Sequence, residues 1–190
     1  MRRSEWTVVV PVKGGPDVKS RLHTPDRADL ALAMALDTVE AALAVAHVVV
    51  VVPAPLFEPF RDLGATAVAD PGTGLIGAIE VGLDAVPADH GSAVLLGDVP
   101  GLLPAELAAA LAAATDRVMV ADADGTGTVL IAAPPTVAHR VGFGPDSRAR
   151  HLGLGYRELL EPWPGLRRDV DVAENLAGLD TGPRTRALRP

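Results

Sequence analysis

The chain has 190 residues, 48% of them hydrophobic, and carries a formal net charge of -7 at pH 7. Its length and apolar content predict one globular domain with a sizeable core. The acidic balance argues against a general nucleic-acid binder, which usually has a basic face. The chain has no cysteine, which excludes disulfides and thiolate metal sites. The first apolar run breaks at Pro11 and Lys13, which argues against a signal sequence, and the apolar run 47–52 is too short to cross a bilayer. A cytoplasmic protein is therefore expected.

Strands and helices alternate along most of the chain. Apolar runs rich in β-branched residues predict five strands, over residues 7–10, 47–52, 65–69, 92–96 and 117–121. Apolar residues at helical spacing predict helices between them, over residues 26–45, 56–63, 75–86 and 104–113. This alternation is typical of a doubly wound α/β domain with a mainly parallel sheet. Ligands of such sheets bind beyond the carboxyl ends of the strands, which are followed here by the loops 13–21, 70–77 and 97–100.

Two Gly-rich polar segments follow the last of these strands. Residues 122–128 predict a turn into a strand at 129–132, and residues 142–147 predict a turn into a short helix. Both segments have the composition of binding loops rather than of linkers. They are therefore further candidates for ligand contacts.

The chain ends in a less regular part. A helix is predicted over residues 173–179. Residues 181–190 mix Gly, Pro and Arg without an apolar face, which predicts a frayed tail. The domain is therefore expected to span residues 1–180.

The first loop concentrates positive charge. Lys13 and Lys19 are the two lysines of the chain, since every other cationic side chain is Arg. Together with backbone N–H groups near Gly14, two ammonium groups would suit a phosphate, although a solvated surface loop is the alternative. The loop does not match the ATP-binding P-loop: Lys19-Ser20 fits its end, but Val18 stands where a glycine is expected.

Five aspartates, in three segments of the chain, are candidate metal ligands or turn residues. Asp98 directly follows an apolar strand, where a carboxylate could hold Mg²⁺ or could bond its own turn. Asp169 and Asp171 lie two residues apart, so in an extended backbone only one could join Asp98, and the other would cap the next helix. Asp122 and Asp124 have the same spacing and are interpreted as turn residues.

No Ser-His-Asp or Cys-His arrangement is evident in the sequence. His151 stands beside Arg148 and Arg150, so it is interpreted as part of an anion-binding face rather than as a general base. A reaction without a base is reasonable for a phosphate nucleophile, which has a second pKa of about 6 and is largely ionised at neutral pH.

Six segments, taken in order, resemble one known family, the guanylyltransferases of coenzyme F420 biosynthesis. They are VPVKGGPDVKSRL, DPGTGLIGAI, LLGDVP, DADGTGTVL, FGPDSRARH and DVDVAENL. The resemblance extends from about residue 8 to residue 179. It implies a single-domain, three-layer nucleotidyltransferase fold related to glycosyltransferase A enzymes, with a mainly parallel mixed sheet. Molybdenum-cofactor guanylyltransferases are a poorer match, because their first loop is expected to read Ala-Gly-Gly where this chain has Pro-Val-Lys.

The resemblance implies roles for individual residues on the GTP side of the site. Lys13, Lys19 and Asp98 would be catalytic, and Asp98 and Asp169 would hold Mg²⁺. The residues that would bind the nucleotide come from the first loop and from the loop after the third strand: Lys13, Gly14, Lys19, Arg21, Asp70, Gly74 and Gly77.

The resemblance also implies an acceptor site. Backbone amides at Thr128, Gly144 and Ser147 would bind a phosphorylated three-carbon acid, with Arg148 or Arg150 nearby. One departure from the family is Ile76, which stands where a polar, Asn-like residue is expected and leaves guanine recognition open.

The implied reaction joins GTP to 2-phospho-L-lactate or, in actinobacterial members, to phosphoenolpyruvate, with release of pyrophosphate. Phosphoenolpyruvate is favoured because the composition is typical of an actinobacterial protein. The alternatives are an enzyme of the same fold with another phosphorylated acceptor, or a non-catalytic nucleotide-binding protein. No nucleic-acid or membrane partner is expected. A transient contact with the next enzyme of the pathway is expected.

Overall fold

A computed structural model describes residues 5–12, 27–170 and 173–188. Its strands are β1 (Trp6–Pro11), β2 (His47–Val52), β3 (Thr66–Ala69), β4 (Gly91–Leu95), β5 (Val118–Ala121), β6 (Thr128–Ala133) and β7 (Arg157–Glu158). Its α-helices are α1 (Arg27–Leu43), α2 (Phe57–Asp62), α3 (Leu75–Asp84), α4 (Pro104–Ala112), α5 (Ser147–Gly153) and α6 (Pro183–Ala187). Two short 3₁₀ helices are Ala54–Leu56 and Ala173–Leu176.

The described strands form one sheet in the order β3-β2-β1-β4-β6-β5-β7. β6 is antiparallel to its neighbours β4 and β5, whereas the other described strand pairs are parallel. β1 lies inside the sheet, where Val9 pairs with Val49 of β2 and Val94 of β4. Such strands are covered on both faces, which explains their continuous valine runs. The predicted mainly parallel mixed sheet is confirmed.

Successive side chains of each strand enter two separate cores. Val8 and Leu95 face the core that α1, α2 and α4 cover. Val9 and Ile131 face the opposite core, which is covered by α3 and by Phe143. The sheet therefore lies between two layers of covering elements, in agreement with the expected three-layer fold.

Element boundaries follow the predictions closely for strands and less closely at the end of the chain. Each predicted strand agrees with the structure to within one residue at either end, and β2 has the predicted bounds. The helix predicted over 173–179 is wrong in type and length, since the structure has a 3₁₀ helix at Ala173–Leu176. Its Leu176 packs with Leu30 and Met34 of α1.

The expectation of a frayed tail is corrected over residues 183–187, which form α6. Thr185 is fully buried, and its backbone N–H donates to Oδ2 of Asp37 in α1 at 2.8 Å. Gly182 donates from its N–H to the carbonyl oxygen of Pro100 at 2.9 Å. Polar contacts rather than an apolar face hold this segment, and the sequence pattern gives no signal for them.

Several predicted site residues lie outside the described ranges. They are Lys13, Gly14, Lys19, Arg21 and Asp171, so their roles stay predictions. Among the helices that are described, none is long and apolar enough to span a membrane.

Candidate active site

β1 ends directly beside the turn that carries Asp98. The N–H of Val12 donates to the carbonyl oxygen of Val51 at 2.8 Å, which prolongs the β1–β2 pairing by one residue. A Cβ atom on Gly97 would lie 3.3 Å from the carbonyl oxygen of Pro11 and 3.2 Å from Cγ2 of Val12. Glycine thus permits a close approach between the exit of β1 and the exit of β4. Val12, the last described residue before Lys13 in the sequence, therefore lies beside the turn that carries Asp98.

The two candidate metal ligands are linked through the backbone. The N–H of Val170 donates to the carbonyl oxygen of Asp98 at 2.9 Å, which places the neighbouring Asp169 on the chain segment paired with Asp98. Both aspartates are half-buried. Carboxylate oxygens at a partly open mouth fit Mg²⁺, which keeps several water or phosphate ligands. In the described ranges, no group of three or more His, Asp or Glu could hold a metal, and Asp171 lies outside those ranges.

The loop after β3 is a tight glycine turn. Oδ1 of Asp70 accepts a hydrogen bond from the N–H of Gly72 at 2.9 Å. Gly74, directly before α3, has a φ of 90°, which favours glycine. A Cβ on Gly77 would overlap Oγ1 of Thr73. Asp70 therefore closes its own turn, while the nucleotide-binding roles of Asp70, Gly74 and Gly77 stay predictions.

The turn between β5 and β6 is closed by Asp122. Its Oδ1 accepts from the N–H of Thr126 at 3.0 Å and its Oδ2 from the N–H of Gly127 at 2.7 Å. The interpretation of Asp122 as a turn residue is confirmed. The turn delivers Thr128, a predicted acceptor ligand, to the start of β6. The N–H of Arg148 donates to the carbonyl oxygen of Thr126 at 3.2 Å, so the two predicted acceptor loops lie side by side.

His151 holds these loops together from inside the protein. Its side chain is fully buried, with Nδ1 2.9 Å from Oγ1 of Thr128 and Nε2 3.0 Å from the backbone nitrogen of Gly142. Because a backbone N–H can only donate, Nε2 accepts, and the Nδ1–H of the neutral ring donates to Thr128. Burial lowers the pKa of His151 from 6.5 to about 4. The interpretation of His151 as part of an anion-binding face is therefore wrong, since the imidazole is neutral, buried and fully hydrogen-bonded.

A second neutral imidazole, that of His139, holds the segment that contains Gly142 in place, and it was not predicted from the sequence. Nε2 of His139 lies 3.1 Å from the carbonyl oxygen of Ser92, which requires the ring to donate there. Nδ1 then accepts from the hydroxyl of Tyr156 at 3.0 Å, and that hydroxyl accepts from the N–H of Arg140 at 3.0 Å. Burial lowers the pKa of His139 from 6.5 to about 4 and raises the pKa of Tyr156. The partners are far apart in the sequence, so no local pattern could have revealed them.

The two candidate arginines of α5 have different surroundings. Nε and Nη2 of Arg148 donate to the carboxylate of Glu158 at 2.8–3.1 Å, and this pairing raises the pKa of Arg148. Arg150 is exposed and makes no ion pair with any described carboxylate. A Cβ on Gly144 would lie 3.3 Å from Nη1 of Arg150. Arg148 is therefore engaged within the protein, whereas the guanidinium of Arg150 lies beside a predicted acceptor ligand.

A cavity of about 470 Å³ lies between α3 and α5. Its lining residues are Ile76, Val141, Gly142, Phe143, Arg150, Gly153 and Leu154. Most of this surface is apolar, and of the lining residues that the structure describes, only Arg150 is charged. The segment that His139 and His151 hold in place forms one wall.

Comparison with known proteins agrees with this arrangement. Residues 24–161 match the family described as the MobA-like NTP transferase domain. A phosphoenolpyruvate guanylyltransferase from Salinispora arenicola is 49% identical over 199 residues, covering 96% of this chain and 92% of that protein. The chain belongs to this guanylyltransferase family. Another member, from Streptomyces coelicolor, is 46% identical over 202 residues and covers 97% of this chain and 95% of its own.

Solved structures share the fold of this guanylyltransferase family member. A nucleotidyl transferase from Methanothermobacter thermautotroptrophicus has a TM-score of 0.65 and 20% sequence identity, covering 90% of this chain and 93% of that one. A putative nucleotide-diphospho-sugar transferase from Desulfovibrio desulfuricans has a TM-score of 0.64 and 19% identity, covering 91% and 85%. The expected nucleotidyltransferase fold is confirmed.

Proposed function

We propose that this protein transfers GMP from GTP to phosphoenolpyruvate, with release of pyrophosphate, as a step of coenzyme F420 biosynthesis. The observation that carries the proposal is the near full-length similarity, at 49% identity, to a protein named phosphoenolpyruvate guanylyltransferase. Two backbone contacts support it, because the Asp98 turn lies beside the end of β1 and is hydrogen-bonded to Val170, the residue after Asp169.

The proposed reaction is an in-line displacement at the α-phosphorus of GTP. A phosphate oxygen of the acceptor forms a new bond to the α-phosphorus, the bond from that phosphorus to the bridging oxygen breaks, and pyrophosphate leaves with the electron pair. No proton has to be removed from an ionised phosphate. This agrees with two neutral imidazoles, His139 and His151, that are both occupied by hydrogen bonds within the protein.

The chain's own residues would position the two substrates and balance their charge. Asp98 and Asp169 would hold Mg²⁺, which would neutralise phosphate charge when bound. Lys13 and Lys19, which follow β1 in the sequence, would also bind the phosphates. In this acidic chain, the metal and the two lysines would together supply positive charge for the phosphates.

The acceptor would lie at the start of β6 and of α5. Backbone amides of Thr128, Gly144 and Ser147 would bind its phosphate, and His151 keeps the segments that carry them in contact. We favour phosphoenolpyruvate over 2-phospho-L-lactate because the relatives carry the name of the former. The proposal includes a cytoplasmic location and a transient contact with the next pathway enzyme. It includes no nucleic-acid or membrane partner.

The test is a product analysis with purified protein. GTP and Mg²⁺ are incubated with phosphoenolpyruvate, 2-phospho-L-lactate or a sugar phosphate, and the products are read by mass spectrometry together with released pyrophosphate. The proposal expects a GMP adduct of phosphoenolpyruvate that disappears when the metal is chelated. An adduct with the sugar phosphate alone would favour another acceptor, and the absence of any adduct would reject the proposed function.

A further inference from the structure

The cavity between α3 and α5 combines an apolar wall with one cation. Ile76, Phe143 and Leu154 supply apolar surface, and Arg150 supplies the charge. Among the described residues that line the cavity, none is acidic. A pocket of this kind fits a small organic anion that has a short hydrocarbon part.

The guanidinium of Arg150 is placed for a ligand rather than for a structural contact. Its backbone N–H donates to Asp146 and its carbonyl oxygen accepts from Leu154, as expected for a helical residue. Its side chain makes no hydrogen bond or ion pair with the other described residues, whereas Arg148 in the same helix is held by Glu158. The charge of Arg150 is therefore available to an anion.

Gly144 leaves room for that guanidinium. Its φ of 125° is a conformation that side chains rarely adopt, and a Cβ there would approach Nη1 of Arg150 to 3.3 Å. The guanidinium thus lies over the backbone of a residue whose amide is proposed to bind the acceptor phosphate. A ligand held by that amide would present its remaining groups to Arg150.

We propose that Arg150 binds the carboxylate of the acceptor in this cavity and thereby selects phosphorylated carboxylic acids over other phosphate monoesters. The inference rests on the proposed function and adds to it the group that recognises the acid. A planar, fork-shaped guanidinium binds a carboxylate through two hydrogen bonds. Ile76 and Phe143 would cover the methylene carbon and exclude water, which strengthens that pairing.

The test compares phosphoenolpyruvate with vinyl phosphate, which is the same enol phosphate without the carboxylate. Binding of each compound to the protein with Mg²⁺ and GTP analogue present is measured by calorimetry, and transfer is measured separately by mass spectrometry. For the native chain we expect phosphoenolpyruvate to bind about 10- to 100-fold more tightly than vinyl phosphate, the effect of one hydrogen-bonded charge pair.

Arg150→Met should remove most of that preference, and Arg150→Lys should keep part of it. The KM for GTP should stay within about twofold in both variants, because the charge is lost only on the acceptor side. Arg61→Met is the matched control, since Arg61 is an exposed arginine of α2 beside Phe57 on the other face of the sheet. It should keep the native preference.

The outcomes separate two claims, the binding role of Arg150 and the proposed transfer of GMP. If the preference for phosphoenolpyruvate is unchanged in Arg150→Met, or is absent from the native chain, the role of Arg150 is rejected. Because the preference is a ratio within one variant, a general loss of folded protein cannot imitate its disappearance. If the native chain binds phosphoenolpyruvate selectively and Arg150→Met loses that preference, but no GMP is transferred, the proposed function fails while the binding role of Arg150 stands.

Discussion

The backbone N–H of Gly142 donates to Nε2 of His151 at 3.0 Å, and this bond requires a neutral imidazole. A proton on Nε2 would place two donors against each other inside the core. The same ring donates from Nδ1 to Thr128 and packs edge-on against Phe143 and Tyr156. Protonation of one residue therefore opposes the folded arrangement of several segments.

We predict that this arrangement makes the protein less stable in mild acid. The pKa of His151 falls from 6.5 to about 4 on folding, so between these values the unfolded chain binds a proton that the folded chain does not. The contribution to stability is complete above about pH 6.5 and is lost as the pH falls towards 4. For a shift of this size the full loss, reached below pH 4, is about 3 kcal/mol, and urea unfolding at pH 7.5 and pH 5 should show about 2 kcal/mol of it.

The control for the acid effect is a pair of histidine variants. His151→Gln should be less stable at pH 7.5 and should show a weaker dependence on pH, because the titrating group is gone. His47→Gln, at an exposed position at the start of β2, should retain the native dependence. Equal pH profiles for the native chain and His151→Gln would contradict the prediction.

Asp37→Asn is predicted to release the C-terminal helix. The buried carboxylate of Asp37 accepts from the N–H groups of Thr185 at 2.8 Å and of Arg184 at 3.3 Å. An amide would turn a donor towards one of these groups, so we expect a loss of about 2–4 kcal/mol in the free energy of unfolding. Hydrogen exchange of residues 183–188 should become faster, and chemical denaturation gives the stability.

Glu40→Gln is the matched control for that variant. Glu40 also pairs with Arg184, at 2.7 Å, but its side chain is 53% exposed. Screening by water limits such a pair to less than about 1 kcal/mol. A loss of stability in Asp37→Asn no larger than that in Glu40→Gln would show that burial of the Asp37 carboxylate is unimportant.

Asp98→Asn is predicted to reduce pyrophosphate release by a factor on the order of 10² to 10³, the usual effect of removing one electrostatic contact at a reaction centre. The fold should remain, because Asp98 is paired with Val170 through its backbone carbonyl. Binding of Mn²⁺, followed by its paramagnetic signal, should weaken in parallel. Asp124→Asn removes the same charge from an exposed turn and should change neither pyrophosphate release nor Mn²⁺ binding. Near-normal turnover of Asp98→Asn would reject the metal assignment.

The sequence was most informative where a single pattern controls the structure. The run His47–Val52 predicts a strand with its observed bounds, because six consecutive residues suit a strand that is covered on both faces. The rule that ligands bind beyond the carboxyl ends of parallel strands likewise pointed to Asp98. The structure has Asp98 where β1 and β4 end together. Both inferences use neighbouring residues or a general property of sheets.

The rest depended on partners that are distant in the chain. His151 lies beside two arginines in the sequence, but its hydrogen bonds go to Thr128 and Gly142. Arg148 and Arg150 look equivalent until Glu158 is seen to hold the first. Such pairings are set by tertiary packing, and a single sequence contains no local signal for them.

Ile76→Asn tests which substrate this residue contacts. The family resemblance expects a polar residue here on the guanosine side, whereas the structure places Ile76, which is 37% exposed, in the cavity with Arg150. If the cavity holds the acceptor, a polar amide in the apolar wall should raise the KM for phosphoenolpyruvate several-fold and leave the KM for GTP unchanged. Leu160→Asn, at a surface position that is 77% exposed, serves as the control and should alter neither constant. A lower KM for GTP in Ile76→Asn, with no change for the acid, would instead assign this position to guanine recognition.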